Sequence, residues 1–498
     1  MTPQHSAPLC HRWKIESARG IAAASEKLDA AKNRLSLPAM NHPPIPFPGC
    51  AGRTGSSRRL ARPSSQALLS VAVFGLAAAA LFLGSDLSAQ EIKRFPSQTP
   101  GLARAVRVDD TPLANTTMML GWDGSGAIQG DARAQALQAL KNANAALIAA
   151  GSSLAQAVKL NFYLTRESDT AAVDAVVAQM FADRPLAISW VTTPLTAPAA
   201  LVGVDAVGAA AGKIGGVQLA SARSLPAGIT GAHVAILPAG QRIFISGMSD
   251  PEKDLRLATR KTMQSLGETL TWLKATKADV VQVKAFLRPY PEHAAALEEM
   301  AAFFAGAPVP TCLVVEWTTP GAVEIEMLVA GRKDAAPTAD GLAFLTQPGV
   351  KPSPAFARIV TVDAGNPLIF IPGLYGKGAG SVRQEWLDIF GELGDILWET
   401  GSSIRHQVKG TYYSTTGESR KLHGEIRAVY FDPARPPASS GMMTKGVGRP
   451  DRTTTIDMIA IPIPRPKAAL EARSAAAAKK RSAKRTICGD LSGLEGLR

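Results

Sequence analysis

GSSLAQAVKLNFYL, residues 151–164, recurs as GSSIRHQVKGTYYS at residues 401–414. Both stretches run from Gly-Ser-Ser to a Val-Lys pair and then into alternating apolar residues, and this recurrence decides the fold. A third stretch, ATKADVVQVKAFL at 275–287, carries Val-Lys between them, so that Lys159, Lys284 and Lys409 stand 125 residues apart. Self-similarity at a fixed period marks tandem copies of one unit. Each Val-Lys is preceded by an amphipathic stretch with the helical period: Leu137, Leu140, Leu147 and Ile148 before Gly151, then Met263, Leu266, Leu270 and Leu273, then Phe390, Leu393 and Leu397 before Gly401. The Val-Lys segments alternate as strands do (Leu160, Phe162, Leu164; Val281, Val283, Ala285). A second helix is predicted after each, through Val173, Val176, Val177 and Met180, then Leu297, Met300 and Phe304, then Leu422, Ile426 and Tyr430.

Every copy closes with a proline-containing turn and apolar strands: AISWVTT and LVGVDAVG, CLVVEWTT and AVEIEMLVA, and TTTIDMIAIPI. Strand candidates open the copies, clearest in RIFISG at 242–247 and LIFIPG at 368–373. The unit reads β-β-α-β-α-β-β, an α+β fold of three tandem modules over 95–213, 214–345 and 346–466.

The remainder is leader and tail. Residues 66–84, QALLSVAVFGLAAAALFLG, carry no charge, follow Arg53, Arg58, Arg59 and Arg62, and lead to Ser88-Ala89. A basic region, an apolar run and a small-residue site predict a signal peptide over 66–89, cut near Ala89, and a periplasmic or secreted protein. An uncleaved anchor is the alternative, and the only membrane contact expected. Residues 1–65 and 467–498 are expected to be disordered.

The 498-residue chain has 54 Lys and Arg against 41 Asp and Glu. The ends, 1–89 and 465–498, hold 19 of those basic residues and 7 of the acidic ones, leaving 35 against 34 between them. A near-neutral middle without a basic stripe speaks against nucleic-acid binding. The four cysteines form no disulfide framework and no metal-ligand spacing, so neither metal nor cofactor is expected. Surface or capping roles are the default for His233, His293, His406 and His423, and solvated edge positions for the three repeat lysines.

FISG at 244–247, AAGSSLAQAVKLNFYLT at 149–165, PGAVEIEMLVA at 320–330 and FDPARPPASSG at 431–441 together resemble the Rid family (reactive intermediate deaminases, YjgF-like, also described as endoribonuclease L-PSP). The resemblance covers roughly residues 95–466. It implies a chorismate-mutase-like fold that assembles as a trimer with ligand clefts between neighbours, so this chain is expected to act as a monomer that builds the trimer within itself. It also implies hydrolysis of enamines and imines with release of ammonia. In the family an arginine in a Pro-Ala-Arg-Ser turn holds the substrate carboxylate, and a glutamate on the last strand helps place the attacking water. Here Ile188, Thr311 and Ser439 stand where the arginine belongs. The carboxylate position carries Asp205, Glu326 and Asp457, which the resemblance makes the catalytic candidates. The Ser-Gly that lines the cleft reads Ser246-Gly247 in the second copy, Pro372-Gly373 in the third and Leu120-Gly121 in the first. Ser246, Gly247, Thr311, Cys312, Gly373, Ser439 and Ser440 are thus the expected ligand contacts, with Cys312 itself read as a small hydrophobe. A divergent deaminase acting on a small molecule is one reading; a non-catalytic binding or scaffold protein is the alternative.

Overall fold

The computed structural model describes residues 92–226, 231–353, 355–378 and 380–464. The expected signal sequence and both terminal segments lie outside them. Within these residues the chain forms nineteen strands and six α-helices.

It opens with a hairpin, β1 (Ile92–Pro96) and β2 (Ala103–Val108). The first repeat contributes β3 (Leu113–Thr116), β4 (Met119–Leu120), α1 (Ala132–Ala149), β5 (Ala157–Leu164), α2 (Thr170–Phe181), β6 (Ala187–Thr192) and β7 (Val202–Ala209). A second hairpin follows, β8 (Gln218–Ala220) and β9 (Val234–Leu237). The second repeat is β10 (Arg242–Met248), α3 (Leu255–Trp272), β11 (Val280–Leu287), α4 (His293–Phe303), β12 (Thr311–Glu316) and β13 (Val323–Ala330). A third hairpin, β14 (Leu342–Leu345) and β15 (Ile359–Val362), leads to β16 (Leu368–Leu374), α5 (Val382–Glu399), β17 (Gln407–Ser414), α6 (Gly417–Tyr430), β18 (Ala438–Met443) and β19 (Thr454–Ala460).

The long helices α1, α3 and α5 each have 18 residues and begin identically. Asp131, Asp254 and Ser381 accept a hydrogen bond from the backbone N–H three residues on, satisfying a donor that the first helical turn leaves free. At their far ends Gly151, Lys274 and Gly401 take positive φ of 70°, 57° and 77°. The left-handed stop is thus kept in the second repeat without glycine. A single 3₁₀ turn then leads into the strand that carries the repeat lysine.

These matching boundaries alter the register inferred from the lysines. The long helices begin at residues 132, 255 and 382, and the following strands at 157, 280 and 407, so the true offsets are 123 and 127. Lys159 and Lys409 are equivalent, and Gln282 is their counterpart. Lys284 sits two residues further along, where the other repeats place Asn161 and Thr411. The repeat is real, but the equal lysine spacing is a coincidence of composition.

Three sheets result, of similar strand order: β6-β5-β7-β3-β9-β8, with β4 also against β7; β12-β11-β13-β10-β15-β14; and β18-β17-β19-β16-β2-β1. The middle strands of each come from one repeat and the outer hairpin from elsewhere. β8–β9 completes the first sheet and β14–β15 the second, each by following in sequence. The third sheet takes its hairpin from the beginning of the described chain, where β2 lies antiparallel to β16 with Val106 opposite Phe370. The expected cuts at 213/214 and 345/346 follow the sequence and not the sheets. The first assigns β8–β9 to the second module, and the second separates β14 from β15.

Helices cover one face of each sheet. α1 and α2 pack on the first around Leu140, Leu147, Phe162 and Val177; α3 and α4 on the second around Met263, Leu266 and Met300; α5 and α6 on the third around Trp386, Phe390 and Leu393. Each such fully buried side chain contributes about 1.5–3 kcal/mol. The opposite faces meet one another. Val108, Leu113, Val158, Leu237, Phe244, Val281, Val362, Phe370 and Val408, drawn from all three sheets, share one apolar cluster. None of the described helices is long and apolar enough to cross a membrane.

Candidate functional site

Two polar cavities interrupt this packing. The first, of about 120 Å³, lies where the three sheets meet and is lined by Lys159, Lys284 and Lys409 with Asp205, Glu326 and Asp457. The three carboxylates picked out by sequence are therefore gathered here. Their strand register agrees across repeats: Asp205 is opposite Asn161, Glu326 opposite Lys284 and Asp457 opposite Thr411.

Two of the three form buried ion pairs across repeats. Lys409 Nζ lies 2.8 Å from Glu326 and donates to Ser440 Oγ at 3.1 Å, while Ser440 Oγ also donates to Glu326. Lys159 Nζ lies 3.3 Å from Asp457 and donates to Ser189 Oγ at 2.6 Å, and Ser189 Oγ donates to Asp457 at 3.0 Å. The solvated-edge expectation fails for these two lysines, whose side chains are only 8% and 9% exposed. Their charge is tolerated there because carboxylate and hydroxyl replace water. Burial pulls the Lys159 ammonium below its ordinary range against the pull of Asp457. The third pair is missing, since Gln282 and Leu313 replace the lysine and serine. Asp205 instead accepts from Asn161 Nδ2 at 2.9 Å and from the Tyr163 hydroxyl at 2.5 Å, and burial raises its pKa. Lys284 Nζ contacts the Tyr413 hydroxyl at 3.4 Å and lies over the Tyr163 ring.

The second cavity, about 220 Å³, opens between the second sheet and α6 of the third repeat. Gly247 and Glu324 line it from one side, Phe356 from the connecting hairpin, and Tyr412, Ser414, Ser439, Gly441 and Met442 from β17 and β18. From α6 come Arg420, His423, Gly424 and Arg427. This i, i+3, i+4, i+7 spacing presents one helix face. Arg420 Nη1 donates to Thr319 Oγ1 at 3.3 Å. His423 Nε2 and Arg427 Nε have no hydrogen-bond partner among the described residues. His423 is 7% exposed, stacked on Trp386 (4.6 Å between ring centroids) and tilted against Tyr412 (4.3 Å). Burial and the two neighbouring guanidiniums hold the imidazole well below its usual pKa, so it is neutral at pH 7. The surface or capping default fails for this histidine.

Glu324 is the acid that sequence reasoning missed. It stands two residues before Glu326, on the same face of β13. Burial, then the Glu326 carboxylate, pushes its pKa up to about 7. Gly247 makes room for it: a Cβ there would collide with the Glu324 carboxyl. Gly247→Ala should therefore displace the Glu324 carboxyl and move its pKa back toward the ordinary carboxylate range while the fold persists, as an NMR pH titration beside circular dichroism would show.

The other two seams are built differently. Pairing of Met119 with Val204, Met248 with Ile325 and Leu374 with Ile456 makes Met118 and Gly373 the counterparts of Gly247, and Gly203 and Thr455 those of Glu324. In the first repeat the large and small residues are exchanged. The Met118 sulfur lies 3.0 Å from the Cβ position of Gly203 and joins an apolar cluster with Phe286, Leu313 and Trp317. At Gly373, Thr455 and Ser189 close in at 3.2 and 3.4 Å. There Arg449 lies over Trp190, 4.1 Å from the ring centroid, and pairs with Asp174 at 2.6 Å. The helix faces differ in parallel: Thr170, Val173, Asp174 and Val177 on α2, and His293, Ala296, Leu297 and Met300 on α4, match Arg420, His423, Gly424 and Arg427.

The expected ligand contacts divide accordingly. Gly247 and Ser439 line the second cavity. Ser246, fully buried, instead ties two repeats: its Oγ donates to Ala357 O at 2.6 Å and accepts from Ser439 N at 2.8 Å. Ser440 serves the Lys409–Glu326 pair. Thr311 is buried at the start of β12 and donates to Val281 O. Cys312 is buried between the first and second repeats, where Thr117 Oγ1 donates to its carbonyl at 2.7 Å. Pairing of Lys159 with Ala187, Gln282 with Thr311 and Lys409 with Ala438 makes Ile188, Cys312 and Ser439 equivalent, one residue from the expected match at Thr311. Leu120-Gly121 is not the counterpart of Ser246-Gly247; Thr117-Met118 is.

Residues 104–210 match the family model described as Endoribonuclease L-PSP. Among solved structures the chain is similar to NMB1025 of Neisseria meningitidis, a YjgF family member (18% identity, 25% of this chain and 97% of that one, TM-score 0.19). It is also similar to YyfB of Yersinia pestis, of the Rid family (24% identity, 24% and 98%, TM-score 0.21), and to E. coli TdcF with bound serine (22% identity, 24% and 99%, TM-score 0.19). No curated protein matches the sequence.

Proposed function

We propose that this chain, whose residues 104–210 match the Endoribonuclease L-PSP model, is a three-in-one pseudo-trimer of YjgF/Rid-like repeats that hydrolyses a small imine or enamine acid in one cleft, between its second and third repeats. The three matching sheets, their shared core and the hairpins passed from one repeat to the next support the pseudo-trimer. The apolar run at 66–84 behind four arginines supports export.

The observation that carries the chemistry is Glu324, a half-buried carboxyl whose pKa desolvation pushes up to about 7, lining one ligand-sized cavity together with Arg420 and Arg427. Guanidiniums from α6 take the place of the missing turn arginine and hold the substrate carboxylate. Glu324 as carboxylate accepts a proton from water as the water oxygen bonds to the carbon of the protonated imine, giving a neutral carbinolamine. It then passes that proton to nitrogen and takes the hydroxyl proton as the C–N bond breaks and the C=O bond forms, so that ammonia and the oxo acid leave and Glu324 releases its proton to water. A pKa near the working pH serves both transfers. Glu326, Asp457 and Asp205 fill a structural role in this account, holding repeats together around the central cavity.

Ammonia release from 2-imino acids generated in situ tests the proposal. The enzyme should exceed the uncatalysed rate, and its activity should fall as pH drops through about 7, where Glu324 gains its proton. A rate equal to that of buffer alone with every imine tried would refute it.

A further inference from the structure

We infer that the cleft between the second and third repeats is built for a dicarboxylate, its two acidic groups held separately by Arg420 and Arg427. This rests on the ligand cleft proposed above and narrows what enters it. One carboxylate needs one guanidinium fork. This cleft has two, seven residues apart on α6 and so about 10 Å apart along the helix axis. Neither forms an ion pair among the described residues: Arg420 has a neutral partner in Thr319, and Arg427 leaves its Nε unpartnered. Burial holds the Arg427 guanidinium below its ordinary pKa, the sign of a cation without an adequate counter-charge.

Between the two arginines the helix face carries His423 and Gly424. The imidazole is neutral and adds no charge, and the glycine adds no bulk: a Cβ at Gly424 would meet nothing within 4 Å. The floor between the two cationic points is thus flat, and a short carbon chain can lie across it. The one acid in the cleft, Glu324, stands on the opposite wall, where an imine carbon in the chain joining two carboxylates would be presented to it. A cavity of about 220 Å³ has room for a four-carbon diacid. The corresponding faces of α2 and α4, with Val173 and Val177 or Ala296 and Met300, offer no such pair of cations.

Titration calorimetry of the full chain with succinate and propionate, at matched ionic strength and pH 7, decides this without any turnover. Succinate should bind at least tenfold more tightly than propionate. Arg420→Gln and Arg427→Gln should each bring succinate down to the propionate level, with unchanged circular dichroism. Equal affinities, binding of neither acid, or a preference that survives either substitution would overturn the inference. Succinate preference without ammonia release from any imine would leave it standing and remove the hydrolytic reading alone.

Discussion

Glu324→Gln is expected to slow ammonia release by roughly 10²–10⁴-fold, while making the protein more stable above pH 7. The loss follows from removing the group that takes and returns the proton. The gain follows from linkage. Burial raises the folded-state pKa of Glu324 to about 7, against an ordinary value of 4.5. Between those two pH values the folded chain keeps a proton that the unfolded chain has released. Stability therefore falls as pH rises through this window and levels off above it. Glutamine has no proton to release, so the variant's advantage grows across the same window and reaches roughly 3 kcal/mol. Urea unfolding at pH 5 and pH 8 should show near-equal stabilities at the lower pH and the divergence at the higher. A variant both inactive and equally destabilised at each pH would mean that Glu324 serves packing only.

The second large effect is expected at the hairpin that closes the third sheet. Val106 is fully buried between β1 and β16, and its hairpin also joins the first repeat, where Ala103 N of β2 donates to Leu186 O at 2.8 Å and Arg94 Nη1 of β1 to Pro185 O at 3.1 Å. Val106→Asp puts an unpaired carboxylate among apolar side chains and should cost about 3 kcal/mol or more. It should also expose the edge of β16, which then offers unpaired backbone groups to a second copy of the chain. Chromatography should show self-association that Lys93→Ala, on the exposed side of the same hairpin, does not cause. A monomeric Val106→Asp protein of unchanged urea midpoint would show that the hairpin is dispensable.

The elements of the fold were legible because helical and strand periodicities survive in each repeat. Leu266 and Leu270, or Leu393 and Leu397, face the core as their spacing requires. What could not be read was how the pieces are shared. Alternation in RIFISG says which face is buried, but not whether its neighbour is the preceding hairpin or the following one, since both offer an apolar β edge. The lysine spacing misled for a related reason. A Val-Lys pair is a short signal, and a shift of two residues keeps it on the same face of the strand. Helix ends and caps were the better ruler, because Gly151, Lys274 and Gly401 each stop a helix of fixed length.

The same two-residue period explains the choice of Glu326 over Glu324. Both point to one side of β13, and only the third dimension shows that one meets Lys409 while the other enters the cleft. One signal was present in the sequence. On α6, Arg420, His423 and Arg427 interrupt a face that the matching helices keep largely apolar, and such a departure in one repeat of three marks a site. Gly247, named from the sequence as a ligand contact, lines the second cavity, and the reason for a glycine there, the space taken by Glu324, needed coordinates.

A crystal structure of the full chain soaked with succinate tests most directly whether only one of the three seams still works as a ligand site. Density for the diacid is expected between Glu324 and the α6 arginines, with nothing bound beside Met118 and Gly203 or beside Gly373 and Thr455. Density at either of those seams, or an empty cleft at saturating succinate, would contradict it.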